Sequence, residues 1–220
     1  MAPKKKVASV WARQEAEPEQ PALSRAAIVR EAIVMLDADG AEALSMRKLG
    51  AQLNAGATSL YRHVATKDEL IELTVDEVFS EVTVPPAGAD WRAAASEAAG
   101  SFRATTLRHP WLGSVLGQAG MAQLGPNLGS FSNQLVGLFS AAGYPEPTGA
   151  LDTLLSYVIG MSTTEAAWLT TVARSGETEI ELVTRLSGGQ AGDVDPAKVR
   201  ESKFAYGLAV VLDGLATRIN

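Results

Sequence analysis

Apolar side chains recur three and four residues apart along most of the chain, the spacing that gathers them on one stripe of an α-helix. Alternating apolar and polar positions bounded by turn residues, the mark of a strand, are hard to find. The pattern predicts an all-α protein. Ser24 can cap a first helix in which Ile28, Val29, Ala32, Ile33 and Leu36 form the stripe, and "DADG" stops it at Gly40. Ser45 caps a short second helix with Met46, Leu49 and Leu53 inward. Asn54, Ala55 and Gly56 break it, because Asn and Gly enter left-handed backbone geometry at least cost. A third helix starts near Thr58 or Ser59 and buries Leu60 and Val64. "TKDE" at Thr66–Glu69 has the form of a capping box, opening a longer helix through Ile71, Val75, Val78 and Val82.

After "VPPAG" the spacing predicts helices over 90–108, 110–119, 127–142, 148–174 and 196–218, with a Gly-rich loop or short helix between 175 and 195. Pro110 and Pro196 suit first helical positions, where the missing N–H costs nothing. No internal repeat is present. Leu151, Leu155, Val158, Ser162, Glu165, Leu169 and Val172 share one stripe of the 148–174 segment, and Phe204, Leu208, Val211 and Leu215 share another in the last helix. Burial within one chain and pairing with a second copy explain these stripes about equally.

The second and third helices, joined by a turn of three or four residues and braced by the first, have the form of a helix-turn-helix unit. Its reading helix buries Leu60 and Val64, which leaves Thr58, Ser59, Tyr61, Arg62 and His63 outward, all of them hydrogen-bond donors. Arg62 could fork onto guanine, Thr58 and Ser59 could meet base edges or phosphate, and Tyr61 could bond phosphate or touch a thymine methyl. Arg47 and Lys48, at the start of the second helix, and Lys67, at the start of the fourth, suit phosphate. The plainer alternative is a helical hairpin with a solvated basic face. Small residues at Gly50, Ala51 and Ala55, where the two helices must cross closely, favour the reader.

Charge sharpens this picture. The 220-residue chain carries a net charge of −6, yet residues 1–67 hold ten Lys/Arg against seven Asp/Glu, a balance of +3, and the rest carries −9. Four of the cations, and no acid, lie between Ser45 and Lys67. Residues 1–21, with Lys4–Lys6, Pro18 and Pro21, read as a flexible arm, either a solvated tail or a basic strand reaching for DNA.

Composition excludes several chemistries. No cysteine is present, so no disulfide, thiolate nucleophile or cysteine metal site is available. There are two histidines, His63 in the reading helix and His109, which reads as a helix-start residue rather than a ligand or base. No Asp/Glu cluster has metal spacing, and "SGGQAGD" at Ser187–Asp193 lacks the preceding strand and closing Lys of a phosphate loop. The expectation is no enzyme, no metal and no cofactor. No apolar run is long enough for a membrane helix, and the expectation is a cytoplasmic, unanchored protein.

Leu23–Leu73, "LSRAAIVREAIVMLDADGAEALSMRKLGAQLNAGATSLYRHVATKDELIEL", resembles the N-terminal domain of the tetracycline-repressor (TetR) family of bacterial transcriptional regulators; "LYRHV" followed by "KDEL" is its specific signature. Asn54 departs mildly from the Gly usual there. More weakly, "FRATTLRHPWL", "GPN" and "LLSYVIGMSTTEAAW" resemble that family's other half. The resemblance implies a three-helix DNA-binding domain at 22–68, a helical ligand-binding and dimerisation domain at 69–220, and release of palindromic double-stranded DNA when a small effector binds. It implies that Arg47 contacts backbone or base, that Thr58, Ser59, Tyr61, Arg62 and His63 lie on the recognition helix, and that Lys67 holds phosphate. It also implies a homodimer paired through the stripes of Leu151, Leu155, Val158, Ser162, Leu169, Phe204, Leu208, Val211 and Leu215 in a four-helix bundle. For an effector pocket, Phe102, Trp111, Met121, Phe131, Phe139, Tyr157, Met161 and Trp168 could supply walls. The alternative is a helical ligand- or protein-binding module without sequence-specific DNA binding.

Overall fold

The computed structural model describes residues 23–86, 88, 90–119, 125–189 and 195–219. Within them the chain forms helices α1 (Arg25–Asp39), α2 (Met46–Gln52), α3 (Ala57–Leu60), α4 (Lys67–Phe79), α5 (Trp91–Arg108) and α6 (Trp111–Ala119), then α7 (Pro126–Ala141), α8 (Pro147–Ser175), α9 (Glu179–Leu186) and α10 (Pro196–Ala216). No strand occurs among the described residues. The all-α expectation holds, and the segment left open between 175 and 195 contains helix α9, whose capping box joins Thr178 and Glu181.

Local chemistry sets the first helices. The hydroxyls of Ser24, Ser45 and Thr66 accept the N–H groups of Ala27, Lys48 and Glu69 at 3.2, 3.2 and 2.9 Å. Gly40, at φ 80°, ends α1 with its N–H on the Leu36 carbonyl at 2.9 Å. Asn54 is the one non-glycine residue at positive φ, 50°, among those described, and turns the chain between α2 and α3. A side chain at Gly50 would place its Cβ 2.6 Å from the Ala55 carbonyl oxygen, so this glycine lets the two helices cross. Ala51, read as part of that crossing, is exposed.

Three local details differ from the pattern. Helix α3 is one turn, and Arg62 and His63 follow as tighter turns, their N–H groups on the carbonyls three residues back, Ser59 and Leu60. Glu69 reaches the N–H of Ala65 rather than Thr66, so the box is offset by one residue. Helix α4 ends at Phe79, and Val82 lies beyond it, where Ser101 accepts the Thr83 N–H at 2.9 Å.

One hydrophobic core joins all of this. Phe79 of α4, Phe102 of α5 and Phe131 of α7 meet with centroids 5.6, 5.7 and 6.1 Å apart, and Trp91, Phe139 and Tyr144 form a second aromatic group. Helix α8 runs through the centre against α5, α6, α7 and α10. Helix α4 is shared: it packs on α1 and on α7. Its Asp76 carboxylate accepts the N–H groups of Asn127 and Leu128 at 2.9 and 3.1 Å, satisfying free donors at the start of α7. The Asn127 amide donates back to the Asp76 carbonyl at 3.0 Å, so motion of α4 is tied to α7.

Candidate nucleic-acid interface

Leu60 and Val64 are almost completely buried, and the opposite side of the same turn carries exposed Thr58, Tyr61 and Arg62 with half-buried Ser59 and His63. Tyr61 keeps 51% of its surface, unusual for a large aromatic with a core beside it. Arg47, Lys48 and Lys67 are exposed around it. The Arg25 guanidinium donates to the His63 carbonyl at 3.1 Å, which ties the reader's last turn to α1. The Lys67 ammonium reaches the Ala41 carbonyl at 3.5 Å. Among the described residues, none of Arg25, Arg30, Arg47, Lys48, Arg62 and Lys67 makes an ion pair. The arrangement presents uncommitted cations and hydroxyls on a ridge backed by core, the requirement for meeting phosphates and base edges together. The 1–21 arm lies outside the described residues.

The residues suggested for an effector pocket do not converge. Phe102, Phe131 and Phe139 fill the core. Trp111 is buried and donates its indole N–H to Asp37 at 2.7 Å. Tyr157 donates to the Phe204 carbonyl at 2.7 Å, over Gly207, and serves to join α8 to α10. Met121 lies outside the described residues. Only Met161 and Trp168 line the cavity of about 430 Å³ enclosed by α8, α9 and α10, with Ile180, Val183 and Val199. Its polar rim is a network that sequence spacing does not reveal. Arg103 holds Glu165 through two bonds of 2.7 and 2.8 Å, Arg200 joins Glu165 to Glu179, and Glu179 accepts the Trp168 N–H at 2.6 Å. Burial pushes the Glu165 carboxyl up, but the bonds from Arg103 and Arg200 outweigh it and hold it below the usual carboxylate range. Glu165 raises Arg103 in return, against the opposing effect of burial.

The stripe expected at a dimer seam is largely engaged within the single chain. Leu151, Leu155, Val158, Ser162, Phe204, Leu208 and Leu215 are buried, and Leu169 and Val211 partly so, within the single chain. This burial follows from α8 being the central helix, packed on α5, α6, α7 and α10, while Leu169 lines a cleft shared with α1. The outward side of the pair carries exposed Gly160, Thr164 and Ala167 on α8 and exposed Tyr206 and Val210 on α10.

Among the described residues, no helix is long and apolar enough to cross a membrane and no group of three or more His, Asp or Glu is placed to hold a metal.

Comparison with known proteins agrees with this geometry. Residues 84–219 match the family model for the tetracyclin repressor-like C-terminal domain. The chain is 37% identical over 164 residues to an HTH-type transcriptional regulator of Saccharopolyspora erythraea, covering 73% of this chain and 69% of that protein. It is 32% identical over 213 residues to the HTH-type transcriptional repressor DrrR1 of Streptomyces coeruleorubidus, covering 89% and 78%. The TetR family protein ActR of Streptomyces coelicolor, solved in complex with actinorhodin, superposes with a TM-score of 0.72 at 27% identity, covering 89% of this chain and 96% of that one. An exposed reader on a buried turn, an all-helical body and this degree of likeness place the chain in the tetracycline-repressor family of helix-turn-helix transcriptional regulators.

Proposed function

We propose that this regulator works as a homodimeric repressor on a palindromic operator, with residues 22–68 as reading head, 69–220 as body, and 1–21 as an added arm. Thr58, Ser59, Tyr61, Arg62 and His63 enter the major groove, while Arg47, Lys48 and Lys67 hold phosphates on either side. The observation that carries this is the single turn on which Leu60 and Val64 are buried and Tyr61 and Arg62 are exposed. Two such readers, one per protomer, span half-sites about 34–36 Å apart or a multiple of it. The dimer forms through the outward face of α8 and α10, where small residues permit close approach and Tyr206 and Val210 supply apolar area.

The effector enters the cavity walled by Met161, Trp168 and Val183, beside the dimer face. Occupancy there changes the pairing of α8 with α10 and hence the separation of the readers, which requires the effector to prefer one separation. The regulator acts where its DNA is, in the cytoplasm.

A salt titration with duplexes selected by the protein from a random pool tests the reading. Affinity should fall steeply with salt, as counterion release predicts, and binding should be lost on shifting one half-site by half a turn. Salt-insensitive binding, or indifference to half-site spacing, would refute it. Val183→Trp fills the α8–α9–α10 cavity and should abolish release by the effector while operator binding persists; unchanged release would place the effector elsewhere.

A further inference from the structure

His109 is read from the sequence as a helix-start residue, yet the fold puts its imidazole at the junction of the reading head and the body. Nδ1 lies 2.8 Å from Oδ1 of Asp37, in the last turn of α1, and Nε2 lies 3.2 Å from Oε1 of Glu81, just beyond α4. The ring is buried, 9% of its side chain exposed. Trp111 donates to the same Asp37 oxygen at 2.7 Å, and Arg108 donates to the other Glu81 oxygen at 2.7 Å and to Thr105 at 3.1 Å. Asp39 and Arg174 line the adjoining cleft between α1 and α8.

A neutral imidazole carries one N–H. In either tautomer the unprotonated nitrogen would direct its lone pair at a carboxylate oxygen, so the two contacts are both hydrogen bonds only when the ring is an imidazolium. We propose that protonated His109 is a clasp between head and body, and that loss of its proton loosens the head and weakens operator binding. Asp37 keeps the Trp111 bond in both states, so the head gains freedom without detaching. Glu81 keeps Arg108. What is lost is the hydrogen-bonded bridge from Asp37 of α1 to Glu81 just beyond α4, which braces the direct packing of these two helices. Two readers that must reach two half-sites at a fixed separation bind less well when each is free to tilt. His109 therefore acts as a positioning residue and touches no DNA.

The consequence at the operator rests on the DNA-binding reading; the clasp itself does not. With two histidines in the chain, ring-nitrogen NMR on the full-length protein assigns both, and His109 should be protonated on both nitrogens at about pH 6. On a duplex selected from a random pool, wild-type affinity should drop about tenfold between about pH 6 and about pH 8. His63 contributes part of any such drop, so variants isolate the rest. His109→Gln should show the smaller drop left to His63, and His109→Arg, a permanent cation, should hold its affinity at high pH better than wild type. If no duplex is selected, the DNA-binding reading fails while the clasp is still judged by amide exchange: α1 protection should fall with rising pH in wild type and not in His109→Arg. A single neutral tautomer of His109 at about pH 6, or a His109→Gln profile superposable on wild type, would overturn the clasp.

Discussion

The two ends of the molecule treat their cations in opposite ways. In the body, Arg92, Arg103, Arg108, Arg185 and Arg200 are each bonded to a carboxylate. In the head, none of Arg25, Arg30, Arg47, Lys48, Arg62 and Lys67 is so paired among the described residues. Arg92, Arg103 and Arg200 join helices to one another, Arg185 ties down only the start of its own helix, and Arg174 and Arg218 make no ion pair among the described residues; in the head no such cation is tied to a carboxylate. The same residue type is mostly paired in one region and unpaired in the other, and what separates the two is whether the fold brings a carboxylate alongside.

Breaking the staples should therefore cost folding. Arg103→Ala removes two bonds from Glu165 but leaves it the bond from Arg200, so the loss should fall below the ~3–5 kcal/mol of a buried charge left wholly unpaired, read as a lower denaturation midpoint. Glu165→Gln gives the acid-side view. The carboxyl is held below its ordinary 4.5 in the folded protein, so the stability it adds is present above 4.5 and is lost as pH falls through the depressed folded value. Acid unfolding of the Gln variant should accordingly be shallower over that range, and an unchanged profile would show that Glu165 contributes nothing there.

A change at the crossing of the head's helices should hurt both properties. Gly50→Ala sets a Cβ 2.6 Å from the Ala55 carbonyl, a backbone atom that cannot swing aside. Overpacking of this kind costs about 1–3 kcal/mol of stability, and it displaces α3 relative to α2, so operator affinity should fall by more than a thermal shift would suggest. Ala51→Ser, on the exposed side of the same helix, should change neither.

How far each region was legible follows from the range of its interactions. The head is built from contacts three or four residues apart: Ser24 to Ala27, Ser45 to Lys48, Thr66 to Glu69, and the left-handed turn at Asn54. Such signals lie within a few letters of sequence, so helix order, turn and outward residues could all be read. The body's decisive contacts join Asp37 to His109, Asp76 to Asn127 and Arg103 to Glu165, dozens of positions apart, and no periodicity announces them. The stripe containing Leu151, Leu155 and Val158 shows why: a 3.6-residue period says that a face is buried but not what buries it. Here it is the chain's own α5, α7 and α10, helices packed on α8. Aromatic residues were misleading for the same reason, since Phe102 and Phe139 pack in the core with the spacing that a cavity wall would also have.

Arg62→Ala should leave the melting temperature unchanged, because the side chain is exposed and unpaired among the described residues. If Arg62 forks onto a base, the loss is about 1–3 kcal/mol, confined to one position of the half-site and absent on random duplex. Equal losses on cognate and random DNA would move Arg62 to the backbone and leave Tyr61, Thr58 and Ser59 to carry sequence.

Lys67→Ala should give the smallest change and the cleanest one. Its ammonium lies at 3.5 Å from the Ala41 carbonyl, a long contact that holds the side chain beside the reader without neutralising it. Removing one phosphate contact should weaken cognate and random duplex alike and reduce the slope of log affinity against log salt by about one unit. The melting temperature is the internal control. If stability falls while the salt slope stays fixed, Lys67 is a staple like those of the body, and the division of labour between the two regions does not extend to the start of α4.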